Sequence, residues 1–245
     1  MPEKNPSQAL DVAPATAPDE ADAAKKWYFN STVQPLVYGE ATPAYARIVT
    51  DCVASMAPAS VLEFGCNAGR NLPLLRASLS GARLLGIDVN PLAVEQGKEM
   101  FGLDLRAGDE TALAEFRDAE IDVTFTVSVL DHFPAITSVS RELVRITGHA
   151  LVLLEITHSV EGKVVTMADE SGKAIEGYPF SYFHNYRKVF EETLGCPCLL
   201  DAYVPVGTSN LLELYRLYVF ATREPKSSGI CRLRRVDFEP VRPTG

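Results

Sequence analysis

Basic charge, paired cysteines and long apolar runs are all scarce in this chain, and each scarcity removes a class of function. Asp and Glu number 32 against 23 for Lys and Arg, leaving a net charge of −9. Such a balance repels phosphodiester backbones and anionic headgroups, so no nucleic acid and no membrane are expected as partners. The local exception is Arg232, Arg234 and Arg235 around Leu233, which reads as a solvated charge cluster. Five cysteines (Cys52, Cys66, Cys196, Cys198 and Cys231) form neither a C-x-x-C nor a paired metal spacing. No metal site is expected, and the odd count fits reduced thiols in a cytoplasmic protein. No apolar run approaches the roughly 20 residues that cross a bilayer, and residues 1–22 lack the charged-then-apolar pattern of a secretory signal. Histidine is scarce as well. Four are present, so each can be weighed individually.

What is present has the rhythm of an α/β domain. The 245 residues suffice for one sizeable core. Residues 1–22, rich in Ala, Pro, Asp and Glu without periodicity, read as a disordered leader. One domain is expected over 23–222, with an inserted loop or lid at 157–181 and an irregular tail at 223–245. Aromatic mass arrives early, at Trp27, Tyr28 and Phe29. A helix follows over 42–56, with Thr42 as N-cap and Pro43 in the first turn. Short apolar runs then predict strands near 59–64, 83–88, 103–107, 121–127 and 149–156. Helical spacing predicts helices near 70–79, 91–100, 110–117, 135–146 and 182–194. Residues 197–222 read as two more strands. Alternation of this kind gives a doubly wound, mostly parallel sheet with helices on both faces.

The most informative stretch lies at 61–72. Val61, Leu62, Glu63 and Phe64 form a buried strand, and Gly65, Asn67 and Gly69 then lead toward a helix. Glycines at such a junction allow a sharp turn and a close approach to a ligand. Asp88, at the end of the next apolar run, follows Gly69 by 19 residues, near the spacing of roughly 20 at which a nucleotide ribose is held. A dinucleotide site requires G-x-G-x-x-G, which is absent. A P-loop requires Lys then Ser or Thr, whereas Gly69 is followed by Arg70 and Asn71.

From Val61 to Gly69 the sequence resembles the first motif of the class I S-adenosylmethionine-dependent methyltransferases, hydrophobic-hydrophobic-(D/E)-x-G-x-G-x-G. Asn67 stands for the middle glycine, a replacement that suits left-handed backbone. The resemblance implies S-adenosyl-L-methionine as cofactor; it carries no phosphate, and no basic cradle is present. It further implies that Glu63 orients the turn and faces the amino-acid end of the cofactor. Gly65 and Gly69 let the cofactor lie across the strand ends, and Asp88 accepts from the ribose diol. Asp109, with Glu110 as its rival, matches the acidic residue near the adenine amino group. Ile121, Asp122 and Val123 resemble the family's fourth motif, whose strand end, at Val127, passes under the methionine part. Arg141 to Glu155 resembles the final helix and fifth strand, and 217–222 the last strand of a seven-stranded sheet, antiparallel to the rest. The likeness is good over 42–156 and loose over 182–222.

Methyl transfer is an in-line displacement in which the protein aligns the acceptor and, for an alcohol, removes its proton. A base is therefore sought beyond the ends of the fourth and fifth strands. His132, directly after Asp131, and His158 are the candidates. For His132, a loop histidine that fixes entry to the next helix is an equal reading. His149 lies at the wrong edge, and His184 sits in an aromatic-rich helix opening where Phe183, Tyr186 and Phe190 have core spacing. The N/D-P-P-Y/F motif of amino-methylation on adenine or glutamine is absent. The expected reaction is methyl transfer to an oxygen, less so a nitrogen, of a small-molecule acceptor. A protein-directed methyltransferase and a non-catalytic cofactor-binding scaffold are the alternatives, and a homodimer is compatible with the sequence.

Overall fold

The structure, a computed structural model, describes residues 44–157, 164–165, 181–204 and 215–223. The leader, the aromatic segment at 27–29, the Thr42 cap, His158, most of 157–181 and nearly all of the 223–245 tail lie outside the described residues.

The apolar runs become strands β1 (Ser60–Phe64), β2 (Arg83–Asp88), β3 (Asp104–Ala107), β4 (Ile121–Val127) and β5 (Thr147–Ile156). A two-stranded ribbon pairs β6 (Val164–Val165) with β7 (Ser181–Tyr182), and β8 (Cys198–Tyr203) and β9 (Tyr215–Ala221) complete the main sheet. Its order is β3-β2-β1-β4-β5-β9-β8. Strands β1 to β5 pair in parallel, and β9 runs antiparallel to both β5 and β8. The seven-stranded, mostly parallel sheet with its last strand antiparallel is therefore as the sequence indicates.

Each strand sends alternate side chains to opposite faces, and both faces are covered. Helices α1 (Ala44–Ser55), α2 (Leu72–Ser78) and α3 (Pro91–Phe101) bury Val49, Val53, Leu75 and Val94 against Val61, Val123 and Val152. On the other face, helix α4 (Thr137–Ile146) buries Val139, Leu143 and Ile146, one stripe at helical spacing, with Leu62, Leu151 and Leu153. The direction of strand addition reverses between β1 and β4, which opens a crevice at their C-terminal ends.

Local chemistry sets the element boundaries. Asn90 caps α3, its Oδ1 accepting from the amides of Leu92 (3.0 Å) and Ala93 (3.2 Å), and Pro91 occupies the first turn. The helix expected over 110–117 is a 3₁₀ helix at Glu110–Glu115, because Asp109 Oδ1 takes the Thr111 amide at 2.9 Å and tightens the turn. β5 begins two residues before the expected start. Thr147 Oγ1 donates to Leu143 O at 2.6 Å, so α4 closes directly into the strand. The helix expected over 182–194 is shorter. Tyr182 pairs with Val164 in the ribbon, Asn185 Oδ1 caps Lys188 N, and a π-helical turn occupies Lys188–Thr193.

Gly97 shows how closely α3 sits on the sheet edge. A Cβ there would lie 2.3 Å from Ala68 O, in the turn after β1. Gly97→Ala should therefore destabilise by ~1–3 kcal/mol through overpacking, despite an intrinsic helix gain of up to about 1 kcal/mol. Urea unfolding measures this, and unchanged or higher stability would show that α3 slides freely over the turn.

Candidate active site

β1 delivers a buried apolar strand to a point where the chain must reverse within a few residues. Three positions there take left-handed backbone: Gly65 (φ +75), Asn67 (φ +52) and Gly69 (φ +75). Asparagine at the middle one is the substitution that tolerates this region best after glycine. The amides of Gly65 and Cys66 donate to Ile87 O at 2.8 and 3.0 Å, and Asn67 Oδ1 accepts from the Ala68 amide at 2.8 Å. Asp88 completes the turn. Its Oδ2 accepts from the Asn67 amide at 2.6 Å and its Oδ1 from the Asn90 amide at 2.9 Å. A carboxylate offers about four lone-pair sites, so Asp88 still has capacity toward the cavity.

That cavity measures about 400 Å³ and lies over the C-terminal ends of β1, β2 and β4. Glu63, Gly65, Asn67 and Asp88 line it from the first two strands, Asp109 and Glu110 from the segment after β3, and Val127 and His132 from β4 and beyond. Gly69 is placed one step behind, where a Cβ would meet Leu103 and Leu105 at 2.8 and 3.2 Å. Gly65 has no room at all, since a Cβ would come within 2.3 Å of Val129 Cγ2. The segment leaving β4 thus presses directly on the turn leaving β1.

The electrostatics are dominated by desolvated carboxyls. Burial pushes Glu63 up to about 8, against the hydrogen bond from Asn71 and the charge of Arg70, with Asp88 adding to the rise. Asn71 Nδ2 donates to Glu63 Oε1 at 2.6 Å. Glu63 Oε2 and Asn71 Oδ1 are buried with no hydrogen-bond partner among the described residues. Burial also raises Asp88, opposed by the amides of Asn90 and Asn67. Among the described residues no group of three or more His, Cys, Asp or Glu could hold a metal ion.

The histidines separate by position. His132 ends a short 3₁₀ turn (Leu130–His132), its Nδ1 3.7 Å from Asp131 Oδ2, with its side chain 24% exposed into the cavity. His184 Nε2 lies 2.8 Å from Phe133 O and packs edge-on against Tyr186. His149 sits half exposed at the opposite end of β5, 3.9 Å from Asp122. Tyr186 and Phe190 are core, as their spacing indicates.

Sequence reasoning passed over several lining residues. Arg70 Nη2 donates to Tyr45 Oη at 2.6 Å, and Ser128 Oγ lies 2.6 Å from Tyr215 Oη. Arg70 and Asn71 adjoin the turn, and their position was the available signal. Tyr45 and Tyr215 come from α1 and β9, far along the chain, and carried none.

The methyltransferase domain family matches residues 62–150. Among solved structures, the chain is similar to the 1,6-didemethyltoxoflavin N1-methyltransferase of Burkholderia thailandensis, bound to 1,6-didemethyltoxoflavin and S-adenosylhomocysteine. Identity is 14% over 90% of this chain and 98% of that one, with a TM-score of 0.61. It is also similar to the CurJ carbon methyltransferase, at 16% identity, TM-score 0.54, over 78% of this chain and 57% of that one. A third likeness is to an S-adenosylmethionine-dependent methyltransferase of Methanosarcina mazei, at 13% identity, TM-score 0.54, over 78% and 98%. At such identities these likenesses speak for the fold. Residues 62–150 thus carry a methyltransferase domain, and the sheet order and left-handed turn around them are those of the Rossmann-like S-adenosylmethionine-dependent methyltransferase fold.

Proposed function

We propose that the protein transfers a methyl group to an oxygen of a small-molecule acceptor, with His132 as general base. The observation that carries this reading is that His132 lines the same cavity as Glu63, Asn67 and Asp88, with Asp131 beside its ring.

The residues present fit S-adenosylmethionine. The unmatched buried acceptors Glu63 Oε2 and Asn71 Oδ1, on two residues that line the cavity, call for a donor such as an ammonium group. In this reading Glu63 and Asn71 hold the amino group of the cofactor's amino-acid end. Asp88 accepts from the ribose hydroxyls, Asp109 or Glu110 from the adenine amino group, and Asn67 and Val127 shape the floor, with Gly69 serving the turn behind them. When bound, S-adenosylmethionine supplies a sulfonium-activated methyl carbon open to in-line displacement. His132 takes the proton from the acceptor hydroxyl as the oxygen becomes nucleophilic. Val129, Phe133 and Pro134 form apolar wall that limits water at the reacting end. A second reading, N-methylation, draws on the similar N1-methyltransferase of Burkholderia thailandensis. A neutral amine needs positioning alone, so His132 would then be dispensable.

Cofactor affinity should depend on pH through Glu63. Without ligand its carboxyl keeps a proton up to about 8. An ammonium donor favours the carboxylate, so binding below that pH expels a proton, and affinity should rise with pH and level off above about 8. Calorimetry of S-adenosylhomocysteine at pH 7 in buffers of different ionisation enthalpy reads the released proton, and Glu63→Gln should abolish it. In the same assay Asp88→Ala should weaken binding at least about tenfold, or ~1.4 kcal/mol. Unchanged affinity would remove Asp88 from the site. With labelled S-adenosylmethionine and panels of hydroxyl and amine acceptors, His132→Ala should cost about 10²–10⁴ in kcat on hydroxyls. Full activity of that variant on an amine, with none of either protein on hydroxyls, would establish the second reading.

A further inference from the structure

β5 ends on a side chain that the reaction as outlined does not use. Glu155 is fully buried, and its carboxyl accepts from Thr126 Oγ1 at 2.6 Å and from the amides of Val129 and Leu130, both at 3.1 Å. The Asp131 amide donates to it as well. These consecutive amides belong to the segment that leaves β4 and winds into the Leu130–His132 turn. Buried amides left without an acceptor would cost the full desolvation of each group, so one side chain on β5 dictates the path of this backbone. The same segment seats Val129 against Gly65.

The turn held in this way carries the chemistry. Asp131 is buried, with Oδ2 3.7 Å from His132 Nδ1, and His132 lines the cavity. From the other side, the Tyr186 hydroxyl is buried beside both acids with no hydrogen-bond partner among the described residues. Tyr215, tied to Ser128, faces both acids from β9.

We propose that Glu155 is a positioning residue for methyl transfer: from the end of β5 it fixes the Leu130–His132 turn so that Asp131 holds the His132 ring toward the acceptor. This rests on the reading of His132 as base. Burial first, and then the charge of the neighbouring Asp131, push the Glu155 carboxyl up to about 8. No covalent step involves Glu155. Its contribution is the geometry of the turn.

The test is an NMR pH titration of the full chain with isotopically labelled histidine, with the His132 signal assigned through its loss in His132→Ala. Glu155→Gln should shift the His132 ring signals, because the amides of Val129 and Leu130 lose the carboxylate they donate to. It should lower kcat at least about tenfold while S-adenosylhomocysteine affinity stays within about twofold. A role limited to stability would lower the melting temperature and leave the His132 titration as it was, and that result overturns the proposal. Should Glu155→Gln fail to fold, Thr126→Val decides, because it removes the hydroxyl that donates to Glu155: shifted His132 ring signals with lowered kcat support the proposal, and unchanged signals and kcat overturn it. Full turnover of hydroxyl acceptors by His132→Ala overturns the base assignment instead. An unchanged His132 titration in Glu155→Gln overturns the positioning alone.

Discussion

The hydrogen bond from the Asn67 amide to Asp88 Oδ2, 2.6 Å long, joins the two halves on which the site depends. It ties the reversal after β1 to the end of β2, and the amides of Gly65 and Cys66 on Ile87 O reinforce the same seam. Glycine takes left-handed backbone freely, so of the three left-handed residues only Asn67 carries a conformational cost, and the surrounding packing holds it in place. Val129 sits against Gly65 on one side, and α3 approaches Ala68 through Gly97 on the other. A turn gripped from both sides presents its backbone to the cavity without rearrangement, which is what preorganised binding requires.

Carboxyls crowd the C-terminal ends of these strands. Glu63 leaves β1, Asp88 leaves β2, Glu155 sits near the end of β5, and Asp131 follows β4, all largely withdrawn from water. Where burial raises such a group, the folded chain binds a proton that the unfolded chain has released. Glu63 and Glu155 are both raised to about 8, so what these two groups contribute to stability is greatest below the ordinary glutamate range and falls as pH rises toward 8. The fold bears this cost at the positions where a ligand or a catalytic turn has to be held. The net acidity of the chain adds no relief. Among the described residues the groups that oppose it at the site are amides, hydroxyls and Arg70.

The sheet was legible because its strands are short continuous apolar runs separated by helices of ordinary length, and length and flanking turn residues, not periodicity, tell such runs from buried helix. Segments governed by capping were less legible. Asp109 converts an expected helix into a 3₁₀ turn, and Asn185 with the ribbon at Tyr182 delays the last helix. Asp122 is an instructive case. Within the motif that resembles a cofactor strand, it accepts the amides of Ala59 and Ser60 at the far end of β4 and serves the sheet.

By itself the sequence determined the sheet, the left-handed turn and the acidic residues at the strand ends, because each is written in neighbouring residues whose backbone preferences and periodicity are local. Only the tertiary structure decided which distant groups meet. Val129 covering Gly65, Tyr215 reaching Ser128, and Glu155 holding the amides of the His132 turn join elements separated by tens of residues. Such contacts depend on the order and twist of the strands and on the exclusion of water between them, and neither is encoded at any one position in the chain.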